Sequence, residues 1–111
     1  VGRADAHQRE RYDAVLAAQE RALAALHPGV TGIEADRVAR DALAEKNLAK
    51  YFGHGLGHSL GLEIHEEPRL SKSCPVALQE NMLITDEPGI YIPGWGGIRI
   101  EDTVLITHDG A

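Results

Sequence analysis

The chain has 111 residues, 43% of them hydrophobic and 25% charged, which is enough for one modest core and at most one small domain. Seventeen acidic side chains against eleven basic ones give a formal net charge of −6, which argues against a nucleic-acid partner bound through its phosphates. No apolar run approaches the ~20 residues that cross a bilayer, so no membrane partner is predicted. Cys74 is the single cysteine and cannot form an internal disulfide, so a cytoplasmic location is the simplest expectation.

Two helices are predicted in the first half of the chain. Over residues 6–26 apolar side chains recur at helical spacing, and Pro28 ends the pattern because proline disfavours helix in the residue before it. Thr31 and Glu34 then have the spacing of a capping box, which predicts a second helix to about Leu48. The expected buried stripe of the first helix consists of Tyr12, Val15, Leu16, Gln19, Leu23 and Leu26.

Residues 53–66 combine three of the six histidines, His54, His58 and His65, with four glycines. Because glycine weakens both helix and strand, this density indicates that the backbone passes close to a ligand. A helix would bring His54 and His58 together, but each flanking glycine would cost it about 1 kcal/mol. An extended segment also places both on one face and is the preferred prediction.

The remainder of the chain alternates in the way that strands do. Residues 60–66 alternate apolar and polar side chains, residues 68–79 read as a loop, and residues 81–85 and 90–92 predict two strands around a turn. Residues 98–107 predict one long strand. Helices followed by strands define the α+β class, and the sheet is expected to be antiparallel.

Nitrogen and carboxylate donors gather in this second half. The three histidines, Glu87 beside a turn and Glu101 on a strand face could converge on a metal ion. A donor set without thiolate suits Mn, Zn, Co or Fe better than a soft metal. The zinc-helix pattern H-E-x-x-H is absent, and Pro68 would break any such helix starting at His65.

The residues alone leave simpler interpretations open. His58 could be a hydrogen-bonded structural histidine, and His54 and His65 could hold the glycine-rich turn. Arg99, on the same strand face as Glu101, could form no more than a surface ion pair with it.

Three segments resemble a known family. Residues 54–66 read HGLGHSLGLEIHE, residues 85–91 read TDEPGIY and residues 97–102 read GIRIED. In this order they resemble the "pita-bread" metallopeptidases, which include methionine aminopeptidase, Xaa-Pro aminopeptidase and prolidase. The fuller match is to the Xaa-Pro aminopeptidase and prolidase branch, and the helical lead-in is similar as well.

The resemblance implies a set of site residues. It implies two divalent metal ions, Mn, Co or Zn, with His58, Glu87 and Glu101 as ligands and Glu87 also transferring protons. It implies that His54 and His65 act in catalysis by stabilising the intermediate and that both line the substrate site. Two further residues are implied to contact the substrate or lie near it, Arg99 and Tyr91.

The resemblance also implies an activity and an incomplete site. The activity is hydrolysis of Xaa-Pro bonds in proline-containing peptides, by an aminopeptidase or a dipeptidase that is a homodimer when complete. Two aspartate ligands of the family precede the segment that matches residue 1. Residues 1–111 are therefore expected to be the C-terminal half of the catalytic domain, a fragment that lacks the N-terminal half and is expected to be inactive alone.

Two other functions fit the same fold. Some relatives have lost metal ligands and act as metal-free binding modules, and creatinase-like hydrolases work through a histidine without metal. The presence of His58, Glu87 and Glu101 together disfavours both.

Overall fold

A computed structural model of the chain describes residues 2–111, in which two helices precede six short strands. The elements are α1 Ala6–Ala25, α2 Gly32–Ala44, a 3-10 turn Ala49–Tyr51, β1 Gly57–Ser59, β2 Glu66–Leu70, β3 Leu83–Asp86, β4 Gly89–Ile92, β5 Gly96–Arg99 and β6 Asp102–Leu105. A four-stranded sheet has the order β2-β1-β3-β6, and β4 and β5 form a separate pair. All the pairings are antiparallel, so the predicted α+β class is confirmed.

Both helices begin with a capping box. Before α2, the Glu34 amide donates to Thr31 Oγ1 at 3.2 Å and the Thr31 amide donates to Glu34 Oε2 at 2.8 Å, as predicted. Before α1, Asp5 and Gln8 exchange the equivalent two bonds at 2.8 Å each, which the sequence analysis missed. These side chains satisfy amides that the first helical turn leaves without partners. Among residues 2–111, no helix is both long and apolar enough to cross a membrane.

The buried face of α1 is made of smaller side chains than predicted. Tyr12 is 48% exposed and Leu16 and Leu23 are only half-buried. Alanine is the commonest buried residue on both helices, and small side chains allow packed helices to approach closely. The buried residues of the two helices include Ala14, Val15, Ala18, Gln19, Ala22, Ala35, Ala39, Ala42 and Leu43.

The strand predicted over residues 60–66 and the loop predicted over residues 68–79 are both wrong in part. Residues 61–65 form a series of bends in which Leu62 is fully exposed, and β2 begins at Glu66 and runs through Pro68. Proline is tolerated there because β2 is an edge strand. The alternating residues 60–66 therefore lie mostly in a connection, and the strand that pairs with β1 is β2, which follows it.

The long strand predicted over residues 98–107 is broken at Ile100 and Glu101. Its first part, β5, pairs with β4, whereas its second part, β6, pairs with β3. The β3–β4 and β5–β6 connections are the two connections between the sheets. The Ile100 amide donates to the Pro88 carbonyl at 3.3 Å, so these two connections lie side by side. Alternation continues through the break, which is why a sequence pattern does not reveal it.

The core contains aliphatic side chains from the helices and both sheets. Its fully buried larger members are Leu26, Leu43, Leu56, Leu70, Leu78, Ile84, Ile90 and Ile106. Phe52 is the aromatic residue that joins this cluster, at 3% exposure. A core without many aromatic rings agrees with the 5% aromatic content.

Gly57 is expected to be irreplaceable in β1. A Cβ built at this position would lie 1.8 Å from the Thr85 carbonyl oxygen, so β1 could not stay next to β3. We expect Gly57→Ala to lower the free energy of unfolding by about 1–3 kcal/mol, the usual cost of overpacking. Urea denaturation measures this change. Gly53→Ala is the matched control, because its Cβ would meet nothing within 4 Å. Equal stability of the two variants would contradict this packing.

Candidate metal and substrate site

Six of the seven predicted site residues line two adjoining cavities, and Tyr91 lines neither. A cavity of about 340 Å³ is lined by His54, His58, His65, Glu87 and Arg99, among others. A second cavity of about 370 Å³ shares four of these residues and adds Glu101. A larger cavity of about 600 Å³ between the start of α1 and β5 contains none of them.

Each residue comes from a different part of the fold. His58 lies on β1, and His65 ends the series of bends before β2. Glu87 lies between β3 and β4, and Glu101 lies between β5 and β6, so the two neighbouring connections between the sheets supply the two carboxylates. The site is therefore assembled from segments far apart in the chain.

His58 and Glu87 are the two proposed metal ligands that lie in contact with each other. Nε2 of His58 lies 3.2 Å from Oε1 of Glu87, and the Nδ1 of His58 lies 3.0 Å from the Ser59 carbonyl oxygen. Because a carbonyl oxygen only accepts, Nδ1 carries a proton that it donates to Ser59. In neutral His58 the lone pair of Nε2 then faces a carboxylate oxygen, so a cation or a further proton is needed between them.

The surroundings hold this pair in place. The Thr85 hydroxyl donates to Oε1 of Glu87 at 3.1 Å, and the His58 amide donates to the Thr85 Oγ1 at 3.0 Å. The His58 side chain is buried and Glu87 is mostly buried. A histidine that donates its other ring N–H to a backbone carbonyl is the usual form of a metal ligand, so this donor set fits a divalent cation.

Arg99 bridges the two carboxylates. Its Nε lies 3.8 Å from Oε2 of Glu87 and 3.9 Å from Oε2 of Glu101. Tyr91, through its charge and a hydrogen bond, and then Glu87 and Glu101 raise the pKa of Arg99 above its ordinary value. Because the Arg99 side chain is half-exposed, we expect each of these ion pairs to contribute little to stability.

Glu101 stands apart from the other two proposed ligands. Its side chain is 42% exposed, and within residues 2–111 no three His, Cys, Asp or Glu side chains lie close enough together to hold a metal ion. His58 and Glu87 are thus brought into contact, whereas Glu101 is linked to Glu87 through Arg99.

The other two histidines differ in their neighbours. The ring of His65 packs on the ring of His58, with centroids 4.4 Å apart and planes at 63°. His54 bonds through Nε2 to the Tyr91 hydroxyl at 2.8 Å, and its Nδ1 lies 2.7 Å from the Gly55 carbonyl oxygen. His65 and His54 therefore form walls of the cavity that contains His58.

Sequence analysis missed several residues that support the site. Asp36 and Arg40 on α2 bind the backbone around His54, and their i, i+4 spacing on a helix was the signal that could have found them. Thr85 lies inside the motif that was identified, but its hydroxyl was assigned no role.

Asp86, the residue before Glu87, is fully buried. Neither of its carboxylate oxygens has a hydrogen-bond partner among residues 2–111. Burial, and secondarily the charge of Asp102 on the neighbouring strand, raises the pKa of Asp86 from its ordinary 3.8 to about 7.

The arrangement matches a known class of enzymes. Residues 1–108 match the metallopeptidase family M24, and the chain belongs to this family. The predicted resemblance to the metallopeptidases is therefore confirmed.

Individual relatives are similar over the whole chain. The Xaa-Pro dipeptidase of Pyrococcus furiosus is 55% identical over 111 residues, which are 100% of this chain and 32% of that protein. The crystallised prolidase from Pyrococcus furiosus superposes with a TM-score of 0.96, at 55% identity over 99% of this chain and 33% of that one. The X-Pro aminopeptidase from Thermotoga maritima superposes with a TM-score of 0.95, at 45% identity over 99% of this chain and 31% of that one.

These coverages limit what the likeness establishes. The chain spans about a third of the length of the relatives it matches, although it resembles them from end to end of its own sequence. The fold and the family follow from the comparison, and the predicted part of a pita-bread structure is confirmed.

Proposed function

We propose that residues 1–111 are the C-terminal half of the catalytic domain of a dinuclear metal-dependent peptidase that cleaves Xaa-Pro bonds. The observation that carries the proposal is the His58–Glu87 pair, in which a histidine nitrogen with a free lone pair faces a carboxylate at 3.2 Å. The family is one of metallopeptidases, and similar proteins are called Xaa-Pro dipeptidase, prolidase and X-Pro aminopeptidase.

His58, Glu87 and Glu101 would hold the metal ions, together with two aspartates of the N-terminal half. The ions, Mn, Co or Zn, would supply Lewis acidity and a water acidic enough to be deprotonated near neutral pH. Arg99 now neutralises the two carboxylates in part, so metal binding requires its guanidinium to turn towards the substrate or the solvent. Its half-exposed side chain has room to do so.

Glu87 would move the proton. It would accept a proton from the attacking water and donate it to the departing proline nitrogen, which must be protonated before it leaves. The Thr85 hydroxyl donates to Oε1 and thereby fixes the orientation of the carboxylate. An oriented carboxylate loses no free energy in reorganising when the reaction occurs.

The remaining residues would bind and orient the peptide. His54 and His65 border the cavity. His65 could donate to the oxygen on which negative charge develops, and His54, whose Nε2 contacts the Tyr91 hydroxyl, would hold that hydroxyl towards the substrate, which Arg99 would also contact. The scissile nitrogen of an Xaa-Pro bond has no N–H, so the site would have to select the proline by ring shape. Cavities of about 340 and 370 Å³ fall at the lower end of the range for small-ligand sites.

The complete enzyme, proposed here as a homodimer, should hydrolyse Xaa-Pro dipeptides when Mn, Co or Zn is supplied. Proline release would be measured with and without a chelator, and with an Xaa-Ala dipeptide as the matched control substrate. We expect activity that needs the metal and falls by at least about tenfold for Xaa-Ala, the lower limit for shape-based selection in an apolar pocket. Activity insensitive to the chelator, or equal on both dipeptides, would refute the proposal.

A further inference from the structure

Two side chains of α2 hold the irregular segment that carries His54. Arg40 donates through Nη1 to the Phe52 carbonyl at 2.8 Å and through Nη2 to the His54 carbonyl at 2.6 Å. Asp36 accepts the Leu56 amide at 3.0 Å. Residues 52–56 belong to no strand or α-helix, so these three bonds replace the backbone ladder that would otherwise fix them.

Asp36 and Arg40 also hold each other. Arg40 Nε lies 2.6 Å from Asp36 Oδ2, and Nη2 lies 3.3 Å from Oδ1, which is a two-point contact between guanidinium and carboxylate. Asp36 is 1% exposed, and the Arg40 guanidinium stacks 4.2 Å above the Phe52 ring. A buried ion pair is often replaceable by apolar residues when stability alone matters. Apolar residues could not bind the two carbonyl groups and the amide of residues 52–56.

The held backbone dictates how the His54 ring is placed. Its Nδ1 lies 2.7 Å from the Gly55 carbonyl, which only accepts, so Nδ1 carries the proton. In the neutral ring Nε2 is then the acceptor for the Tyr91 hydroxyl at 2.8 Å. The edge of the Phe52 ring meets the ring of His54 at 87°, with centroids 5.1 Å apart. The ring thus has contacts on three sides, and two of them come from residues in the held segment.

We infer that Asp36 and Arg40 are positioning residues that hold His54 in its Nδ1–H tautomer at the wall of the site. Their effect on the site is exerted through His54 and the backbone beside it. The kinetic consequence rests on the proposed peptidase function, whereas the tautomer of His54 does not.

The test uses the complete protein with ¹⁵N-labelled histidine. In the wild type, NMR should show His54 protonated at Nδ1 and unprotonated at Nε2. Arg40→Lys keeps the charge but loses the planar fork, and Asp36→Asn keeps the size but weakens the pairing. In both variants we expect a mixture of the two tautomers. Arg37→Lys is the matched control, since Arg37 is exposed on the same helix, and should leave the His54 spectrum unchanged.

Kinetics provide a second readout. Misplacing His54 should lower kcat on an Xaa-Pro dipeptide by up to about 100-fold in Arg40→Lys, with no such loss in Arg37→Lys. In the double variant with His54→Ala, Arg40→Lys should add almost nothing to the loss caused by His54→Ala, because both act through one ring.

Several results would overturn the inference. A wild-type His54 with its proton on Nε2 would do so, as would folded variants that keep the wild-type tautomer and kcat and lose only thermal stability. If neither variant folds, the wild-type spectrum still tests the inference, because a His54 protonated at Nε2 would overturn it. A wild type without Xaa-Pro hydrolysis would refute the proposed function, and the NMR result would still decide whether Asp36 and Arg40 position His54.

Discussion

Replacing Glu87 by glutamine is expected to lower the kcat of the proposed peptidase on an Xaa-Pro dipeptide by at least about 1,000-fold. The amide has the size of the carboxylate and can still accept the Thr85 hydroxyl that now donates to Oε1. It can neither take a proton from water nor neutralise a cation beside His58. The variant therefore removes the chemistry of Glu87 while leaving its packing nearly unchanged.

The two roles proposed for Glu87 can be separated by varying the metal concentration. If Glu87 were only a ligand, saturating Mn would restore the wild-type kcat. If Glu87 also transfers the proton, kcat stays low at saturation, which is the result we expect. Glu80→Gln is the control, because Glu80 is an exposed carboxylate before β3 and outside both cavities. Wild-type kcat in Glu87→Gln would refute the mechanism.

Replacing Asp86 by asparagine is expected to stabilise the protein at pH 8 by about 1–3 kcal/mol. The Asp86 carboxylate is fully buried, and neither of its oxygens has a hydrogen-bond partner among residues 2–111. Asp102 lies directly opposite it on β6, so charge repulsion adds to the cost of burial. A neutral amide removes that charge and can donate to Asp102.

The stabilisation expected for Asp86→Asn should depend on pH in a defined direction. The pKa of Asp86 is raised to about 7 in the folded state from an ordinary 3.8. Between these values the folded state binds more protons than the unfolded state, so wild-type stability falls as pH rises through this range. Asparagine does not titrate. The difference in unfolding free energy between Asp86→Asn and the wild type should therefore be largest above pH 7 and should shrink towards pH 4.

Urea denaturation at pH 5 and pH 8, in a metal-free buffer, measures this difference. Asp109→Asn is the matched control, because Asp109 is exposed in the turn after β6 and should show no such pH dependence. An Asp86→Asn variant that is less stable than the wild type at pH 8 would show that the buried carboxylate has a partner that stabilises its charged form.

The sequence predicted best those features that depend on neighbouring residues. The start of α2 follows from Thr31 and Glu34, which are three positions apart, and the end of α1 follows from Pro28. The strands were less predictable because pairing depends on distant partners. Nothing near Ile100 indicates that β5 and β6 pair in different sheets, and nothing near Pro68 indicates that β1 lies beside it.

The candidate site could likewise be predicted from the sequence only in part. The dense histidines of residues 53–66 and the resemblance of three segments to the metallopeptidases identified residues that line the cavities, and their roles remain predictions. The i, i+4 spacing of Asp36 and Arg40 could have indicated an ion pair, but not its contacts with residues 52–56, because those contacts depend on α2 lying behind that segment. The orphaned carboxylate of Asp86 was equally invisible, since a strand pattern does not show which polar residue faces the core.

The two neighbouring connections between the sheets have a consequence for how this family can diversify. Both strands of the β4–β5 hairpin are tied at the same end, where the Ile100 amide bonds to the Pro88 carbonyl beside Glu87 and Glu101. The tip of the hairpin, at residues 93–95, lies at the far end and is exposed. Insertions at this tip would lengthen the hairpin away from the carboxylates. The hairpin tip is therefore a place where loops of different length could be added while Glu87 and Glu101 keep their positions.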